Sequence, residues 1–205
     1  MNREDSEDPD LYQALFDEGM AIWKRWMEDA RRLGVPRLVV EMAAAHREGC
    51  SSIPETRRTL DLLAEHHASN PATTSPVHLC YDTGHGISPA ESPDDRDRDY
   101  GAWLEAFPQE TYELHLKQTD SEFLATGHFE EGAGFIDPLE VLRVVRDKVT
   151  SPEVYMFLET PGKRGRTLGE DQNIEDHKVS ISVIEAALGK LGYEQDDHDG
   201  GWGLA

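Results

Sequence analysis

Four short apolar runs in this sequence close on side chains that can bind a metal ion: Glu41 in LVVEM, Asp82 in LCYD, His115 in ELHLK and Glu159 in MFLE. Three carboxylates and an imidazole make a mixed oxygen and nitrogen donor set, which suits Mn²⁺, Mg²⁺ or Co²⁺ better than the thiolate sets of structural zinc. Such a set predicts a catalytic ion with positions left for substrate oxygens. Singly, an acid at a strand end is more often a helix cap or salt-bridge partner, and a lone histidine is more often satisfied by hydrogen bonds than ligating. Recurrence in successive runs is what favours a shared centre. His85 follows Asp82 in CYDTGHG, where the apolar run gives way to a glycine turn.

Elements that could bring these side chains together are readable in the spacing. Leu11, Leu15, Ile22, Trp23, Trp26, Met27, Ala30 and Leu33 predict an amphipathic helix over 10–33, capped by Gly34. PRLVVEM reads as a buried strand, and IPETRRTLDLLAEHHAS as a helix with Thr59, Leu60, Leu63 and Ala64 inward. SPVHLCYD, TYELHLKQTD and EVYMFLET are further strands. RDYGAWLEAF, DPLEVLRVVRDKV and IEDHKVSISVIEAALGKL are helices, the last turning Val179 or Ile181, Ile184, Leu188 and Leu191 inward. A helix followed by four βα units implies parallel strands joined by helical crossovers, either a small open sheet or part of a (β/α)8 barrel. In both, the carboxyl ends of the strands converge on one rim. No glycine-rich GxGxxG or Walker loop follows the first strand.

With 41 acidic against 20 basic residues the formal charge is -21, which disfavours a nucleic-acid partner. It suits a highly charged, hydrated surface of the kind found in salt-rich cytoplasm. No run is long and apolar enough to span a bilayer and no signal peptide is evident, so a cytoplasmic protein without membrane contact is expected. Cys50 and Cys80 are too few for a disulfide framework and are expected to be reduced. The acidic stretch 1–9 reads as a disordered leader and 193–205 as an acidic flexible tail around a folded region at 10–192.

CYDTGHG, then ELHLKQTD, GHFEEGAGFIDPLEVL and FLET resemble the sugar isomerases and epimerases of the xylose isomerase-like TIM-barrel superfamily. Within it they are similar to the tetrulose-phosphate isomerases and epimerases, which carry HLQQTD and GHW-type stretches. The resemblance covers roughly residues 20 to 190. It implies an α/β fold that is a partial TIM barrel, the last four parallel strands of a (β/α)8 barrel with their helices. It also implies a divalent ion held by Glu41, Asp82, His115 and Glu159, with His85 contacting substrate oxygen. Glu41 and Glu159 would double as the acid/base pair for proton transfer next to a carbonyl, in an aldose–ketose isomerase or ketose epimerase acting on a small sugar or sugar phosphate.

Further candidates surround that set. His128 in GHFEEG could orient substrate or be a solvated loop histidine, and Gln118 and Lys117 follow His115 toward the same rim. His46 reads as an exposed loop position that could line the mouth. Lys163, Arg164 and Arg166 in PGKRGR are the one compact basic cluster, fit either to hold a phosphate group or to remain solvated loop charges. His66 and His67 read as helix-end charges. A full barrel has eight strands, so four leave two unpaired edges and predict a homodimer or a partner supplying the missing half. The alternative to an enzyme is a noncatalytic remnant or a partner-dependent subunit. The abasic-site endonuclease branch of the superfamily needs more metal ligands and a basic groove, which the net charge opposes.

Overall fold

The computed structural model describes residues 8–43, 49–86, 94–119, 128–130, 132–159, 170–196 and 200–204. The chain enters through α1 (Pro9–Arg32), capped by Asp8, whose carboxylate accepts from the backbone N–H groups of Asp10 and Leu11. It leaves through a Schellman turn. Gly34 takes a left-handed φ of 76°, its N–H donates to the Arg31 carbonyl, and the Val35 N–H donates to that of Ala30.

Four strands follow in sequence order, β1 (Leu38–Glu41), β2 (Val77–Asp82), β3 (Thr111–Lys117) and β4 (Tyr155–Glu159), all parallel in one sheet ordered β1-β2-β3-β4. Between them lie α2 (Ile53–Ser69), the single turn α3 (Thr83–Gly86), a 3-10 turn (Asp95–Arg98), α4 (Tyr100–Ala106) and α5 (Pro138–Lys148). After β4 come α6 (Glu170–Lys190) and two short strands, β5 (Tyr193–Gln195) and β6 (Trp202–Leu204). The architecture is a four-stranded parallel α/β sheet with helical crossovers.

Strand alternation divides the sheet into two unlike faces. Val40, Leu79, Tyr81, Leu114 and Leu116 point to the helices and form the main core with Leu60, Trp103, Leu104, Phe107 and Val141. On the opposite face the register aligns Glu41 with Cys80, Cys80 with Glu113, Asp82 with His115, and Lys117 with Glu159. That face is open, leaving Tyr155 48% and Phe157 51% exposed. An irregularity after Leu79 sets this alignment. Leu79 pairs with Thr111 but Cys80 pairs with Glu113, so Tyr112 is an extra residue and His115 instead of Leu114 lies opposite Asp82.

Several expected helix faces are rotated. Leu11, Trp26 and Leu33 on α1 are exposed, and the buried stripe is Phe16, Met20, Met27 and Ala30 with Trp23 packed against it. That series keeps unbroken spacing of three and four, whereas the broader apolar set wraps around the helix. Ala64 on α2 is exposed and Thr56 is buried in its place. On α6, Val179 and Ile181 face solvent and Ser180 is buried between them, because its hydroxyl accepts from the Phe129 N–H and donates to the Asp176 carbonyl. Residues 193 onward, expected as a tail without regular structure, carry β5 and β6 as an antiparallel hairpin with Tyr193 and Trp202 packed near Leu188. The leader 1–7 lies outside the described residues.

Gln118, at the exit of β3, organises the return to α5. Its amide nitrogen donates to the Ile136 carbonyl, and its oxygen accepts from the N–H groups of Ile136 and Thr119. Gly134 closes over that amide so tightly that a Cβ would lie 2.3 Å from Gln118 Oε1 and 2.3 Å from the Thr119 carbonyl oxygen. Gly134→Ala is therefore expected to cost about 2 kcal/mol or more of stability, since one of the two contacts is rigid backbone. A thermal melt checks this; an unchanged midpoint would mean the return relaxes freely.

Candidate metal centre

The carboxyl end of each strand delivers one side chain to the open face. Glu41, Asp82 and Glu159 are the last residues of β1, β2 and β4. His115 sits two residues before the end of β3, so the strand runs on to Lys117 and brings that lysine to the rim as well. One donor atom from each of Glu41, Asp82, His115 and Glu159 lies within 4.8 Å of the others. His115 Nδ1 is the hub, 3.5 Å from Glu41 Oε1, 3.7 Å from Glu159 Oε2 and 4.0 Å from Asp82 Oδ2. Donors about 2 Å from a shared ion are separated by such distances.

Two of the four candidate ligands are oriented by a second contact. Asp82 divides its oxygens: Oδ1 accepts from the N–H groups of Gly84 and His85, holding the α3 turn, and Oδ2 is left facing the centre. His115 does likewise, its Nε2 lying 2.9 Å from Glu113 Oε1 while Nδ1 faces the carboxylates. A carboxylate behind a ligating imidazole fixes the ring and makes it a better donor. Asp82 Oδ2 and His115 Nδ1 are both buried and held by charge contacts of 3.5 to 4.0 Å instead of short hydrogen bonds. Two buried polar atoms so loosely satisfied, aimed at one point and joined by two further carboxylates, fit a divalent cation.

Electrostatics agree with that fit. Hydrogen bonding to Cys80 and Glu41, with further support from Glu113 and against burial, pushes the His115 ring up to about 11. The His115 hydrogen bond in turn lowers the Glu41 carboxyl, and burial raises that of Asp82. In the metal-free chain, protons and the Lys117 ammonium offset the clustered carboxylates. Lys117 Nζ lies 2.8 Å from Glu159 Oε1 and 3.5 Å from Asp82 Oδ2. Its stem packs over Gly84, where a Cβ would lie 2.6 Å from Lys117 Cδ. Replacing this cation should free both carboxylates for an ion, so Lys117→Met is expected to bind Mn²⁺ about tenfold more tightly or better. Calorimetric titration of the variant checks it, and weaker binding would show that the lysine supports the ligands.

His85 stands beside the set. Its Nδ1 donates to the Met42 carbonyl at 3.1 Å and lies 3.5 Å from Glu41 Oε1, which makes Nε2 the accepting nitrogen, with a long 3.5 Å bond from Lys117 Nζ. Thr83 pins the α3 turn to β3 by donating to the Lys117 carbonyl and accepting its N–H.

The remaining candidates separate. Gln118 does not face the centre, because its buried amide holds the 134–136 return. His128 pairs with Glu130 at 2.9 Å and lies 3.6 Å from Asp176 on α6, linking its loop to that helix. His66 and His67 stay at the end of α2, where His67 Nδ1 lies 2.8 Å from the Thr74 hydroxyl. His46, Lys163, Arg164 and Arg166 lie outside the described residues. Sequence reasoning missed Glu113 and Cys80. Glu113, His115 and Lys117 alternate along one strand, so the period of two was the signal that could have found Glu113.

No family model matches the sequence, and no curated protein matches it. Among solved structures, the chain is similar to a Rhodospirillum rubrum protein provisionally described as a xylose isomerase, with a TM-score of 0.72 and 19% identity. The match covers 90% of this chain and 58% of that one, so the chain spans little more than half the length of this structural neighbour. The likeness is one of fold alone, that of a TIM-barrel-like fragment. No helix among the described residues is long and apolar enough to cross a membrane.

Proposed function

We propose that this chain is the metal-binding part of a divalent-metal-dependent sugar or sugar-phosphate isomerase/epimerase, corresponding to the last four strands of a (β/α)8 barrel. The observation that carries this reading is the convergence of Glu41, Asp82, His115 and Glu159 at the carboxyl end of a parallel sheet, with Asp82 Oδ2 and His115 Nδ1 buried and lacking a short hydrogen bond. Those four residues would hold Mn²⁺, Mg²⁺ or Co²⁺, and the bound ion supplies an electrophile for the charge that develops on a carbonyl oxygen.

The protein's own groups divide the rest of the work. Glu41 and Glu159 rise from the two edge strands and flank the open face. In epimerisation one carboxylate takes the proton from the carbon beside the carbonyl and the other returns a proton to the opposite face. In isomerisation a single carboxylate moves the proton to the neighbouring carbon. Lys117 holds Glu159 through its 2.8 Å contact, and His85 Nε2 would accept from a substrate hydroxyl in exchange for its long 3.5 Å contact with Lys117. Lys163, Arg164 and Arg166 are the proposed phosphate contacts, Gln118 and His128 having other partners. A cytoplasmic setting belongs to the same reading, with Cys50 and Cys80 both buried and free.

A second reading, that of a partner-dependent or noncatalytic subunit, is favoured by the open face: among the described residues β1 and β4 each pair on one side only, and Tyr155 and Phe157 stand exposed. A homodimer or a chain supplying the other half-barrel would close it. One experiment separates the two. The Mn²⁺-loaded protein, with its oligomeric mass measured on the same sample, is incubated with tetrulose and pentulose phosphates in D₂O. Deuterium at the carbon beside the carbonyl, lost in Glu159→Gln, is expected of the enzyme. Full metal binding with no exchange would leave the subunit reading.

A further inference from the structure

One step down the same face, toward the amino ends of the strands, lies a second set of ligand-type side chains. Cys80 is paired in register with Glu113 across β2 and β3, and one donor atom each from Cys80, Glu113 and His115 lies within 4.8 Å of the others. His115 serves both sets: Nδ1 faces the three carboxylates and Nε2 faces Glu113. A carboxylate behind a ligating imidazole accounts for Glu113, but not for a thiol 1% exposed that adjoins His115 with Glu113 nearby. Cys50, the other thiol, is buried elsewhere, in the main core near Thr56 and Thr59.

The two sets differ in kind. The upper one is rich in oxygen and hard, whereas a thiolate, an imidazole and a carboxylate together are the mixed set that selects zinc. We propose that Cys80, Glu113 and Nε2 of His115 form a second metal site, selective for a thiophilic divalent ion of the zinc class and sharing the His115 ring with the oxygen-rich centre. The ion displaces the Cys80 thiol proton and the proton held between Nε2 and Glu113, both released to solvent, and forms bonds to sulfur, nitrogen and oxygen. Three protein ligands leave a fourth position for water. Such a site gives the buried thiol a function that the proposed isomerase chemistry does not use.

Co²⁺ alone is the probe, since a cobalt–thiolate bond gives a near-ultraviolet charge-transfer band that oxygen and nitrogen ligands do not. In the full chain the band is expected in wild type and in Cys50→Ala, and is expected to disappear in Cys80→Ser. It should persist in Asp82→Asn, where the oxygen-rich centre is crippled, so the two sites can fail separately. Glu113→Gln keeps the thiol and is expected to weaken cobalt binding about tenfold or more, which guards against a Cys80 variant that merely misfolds. Zn²⁺ should bleach the band and Mg²⁺ should not. No band in wild type, a band that follows Cys50, or indifference to Glu113→Gln would overturn the site. Loss of the band in Asp82→Asn would overturn it too, because the thiolate would then belong to the upper centre.

Discussion

Asp82→Asn should lose Mn²⁺ binding by about a hundredfold or more and keep the fold, because the two oxygens of this carboxylate have separate duties. Oδ1 accepts from the backbone of Gly84 and His85, and an asparagine Oδ1 can accept the same two bonds. Oδ2 is buried, has only the 3.5 Å Lys117 contact and longer ones, and is turned to the centre, and there the substitution places an NH₂ group that cannot ligate. Burial already raises this carboxyl, so the neutral amide should cost little stability without metal. The test is a pair of measurements on each protein: calorimetric titration with Mn²⁺, and thermal melting with and without it. Wild type should gain stability with the ion by mass action, and the variant should melt at one temperature in both conditions. Undiminished binding in the variant would remove Asp82 from the ligand set, and with it the reading of the four strand ends as one centre.

Mn²⁺ affinity should rise about tenfold for each pH unit between roughly pH 6.5 and 8.5, with one proton released per ion bound. The source is His115, held protonated up to about 11 in the metal-free chain by the Cys80 and Glu41 hydrogen bonds. A ligand must offer a lone pair, so over this range the ion displaces the ring proton. The folded-state value is raised above the ordinary 6.5, so the stabilisation from the charged ring is fully present below 6.5 and is lost as pH climbs toward 11. Metal-free protein should therefore weaken as the solution becomes alkaline, in the range where Mn²⁺ binds best and restores it. Titrations in two buffers of different ionisation enthalpy count the proton directly, and His115→Asn should flatten the slope. Affinity independent of pH would show that the ring is already neutral.

Which parts of this were legible beforehand follows from the physics of the elements. A buried parallel strand has to be a short apolar run, and a polar residue that closes it is conspicuous, so Glu41, Asp82, His115 and Glu159 could be read in order along the chain. Helix positions were legible from their apolar spacing, and Asp137 caps the helix that begins at the Asp-Pro of DPLEVLRVVRDKV. Helix faces were less so. Leu11, Trp26 and Leu33 carry the same apolar signature as Met27 and Ala30, and only the neighbouring α2 and sheet decide which stripe is covered. Ser180 displaced Val179 and Ile181 because a loop backbone needed its hydroxyl, a demand made across 51 positions of chain. Gln118 looked like a rim residue by its distance from His115, yet its amide is taken by Ile136.

The sequence by itself determined which residue types could bind a metal and that parallel strands would carry them toward one rim. Tertiary structure decided how they meet. The extra residue Tyr112 shifts β3 against β2 so that His115 faces Asp82, and the regular β3–β4 register brings Lys117 opposite Glu159. Strand alternation assigns side chains to faces within one strand, but the register between strands is set by packing and hydrogen bonding of residues far apart in the chain, and a single inserted residue resets it.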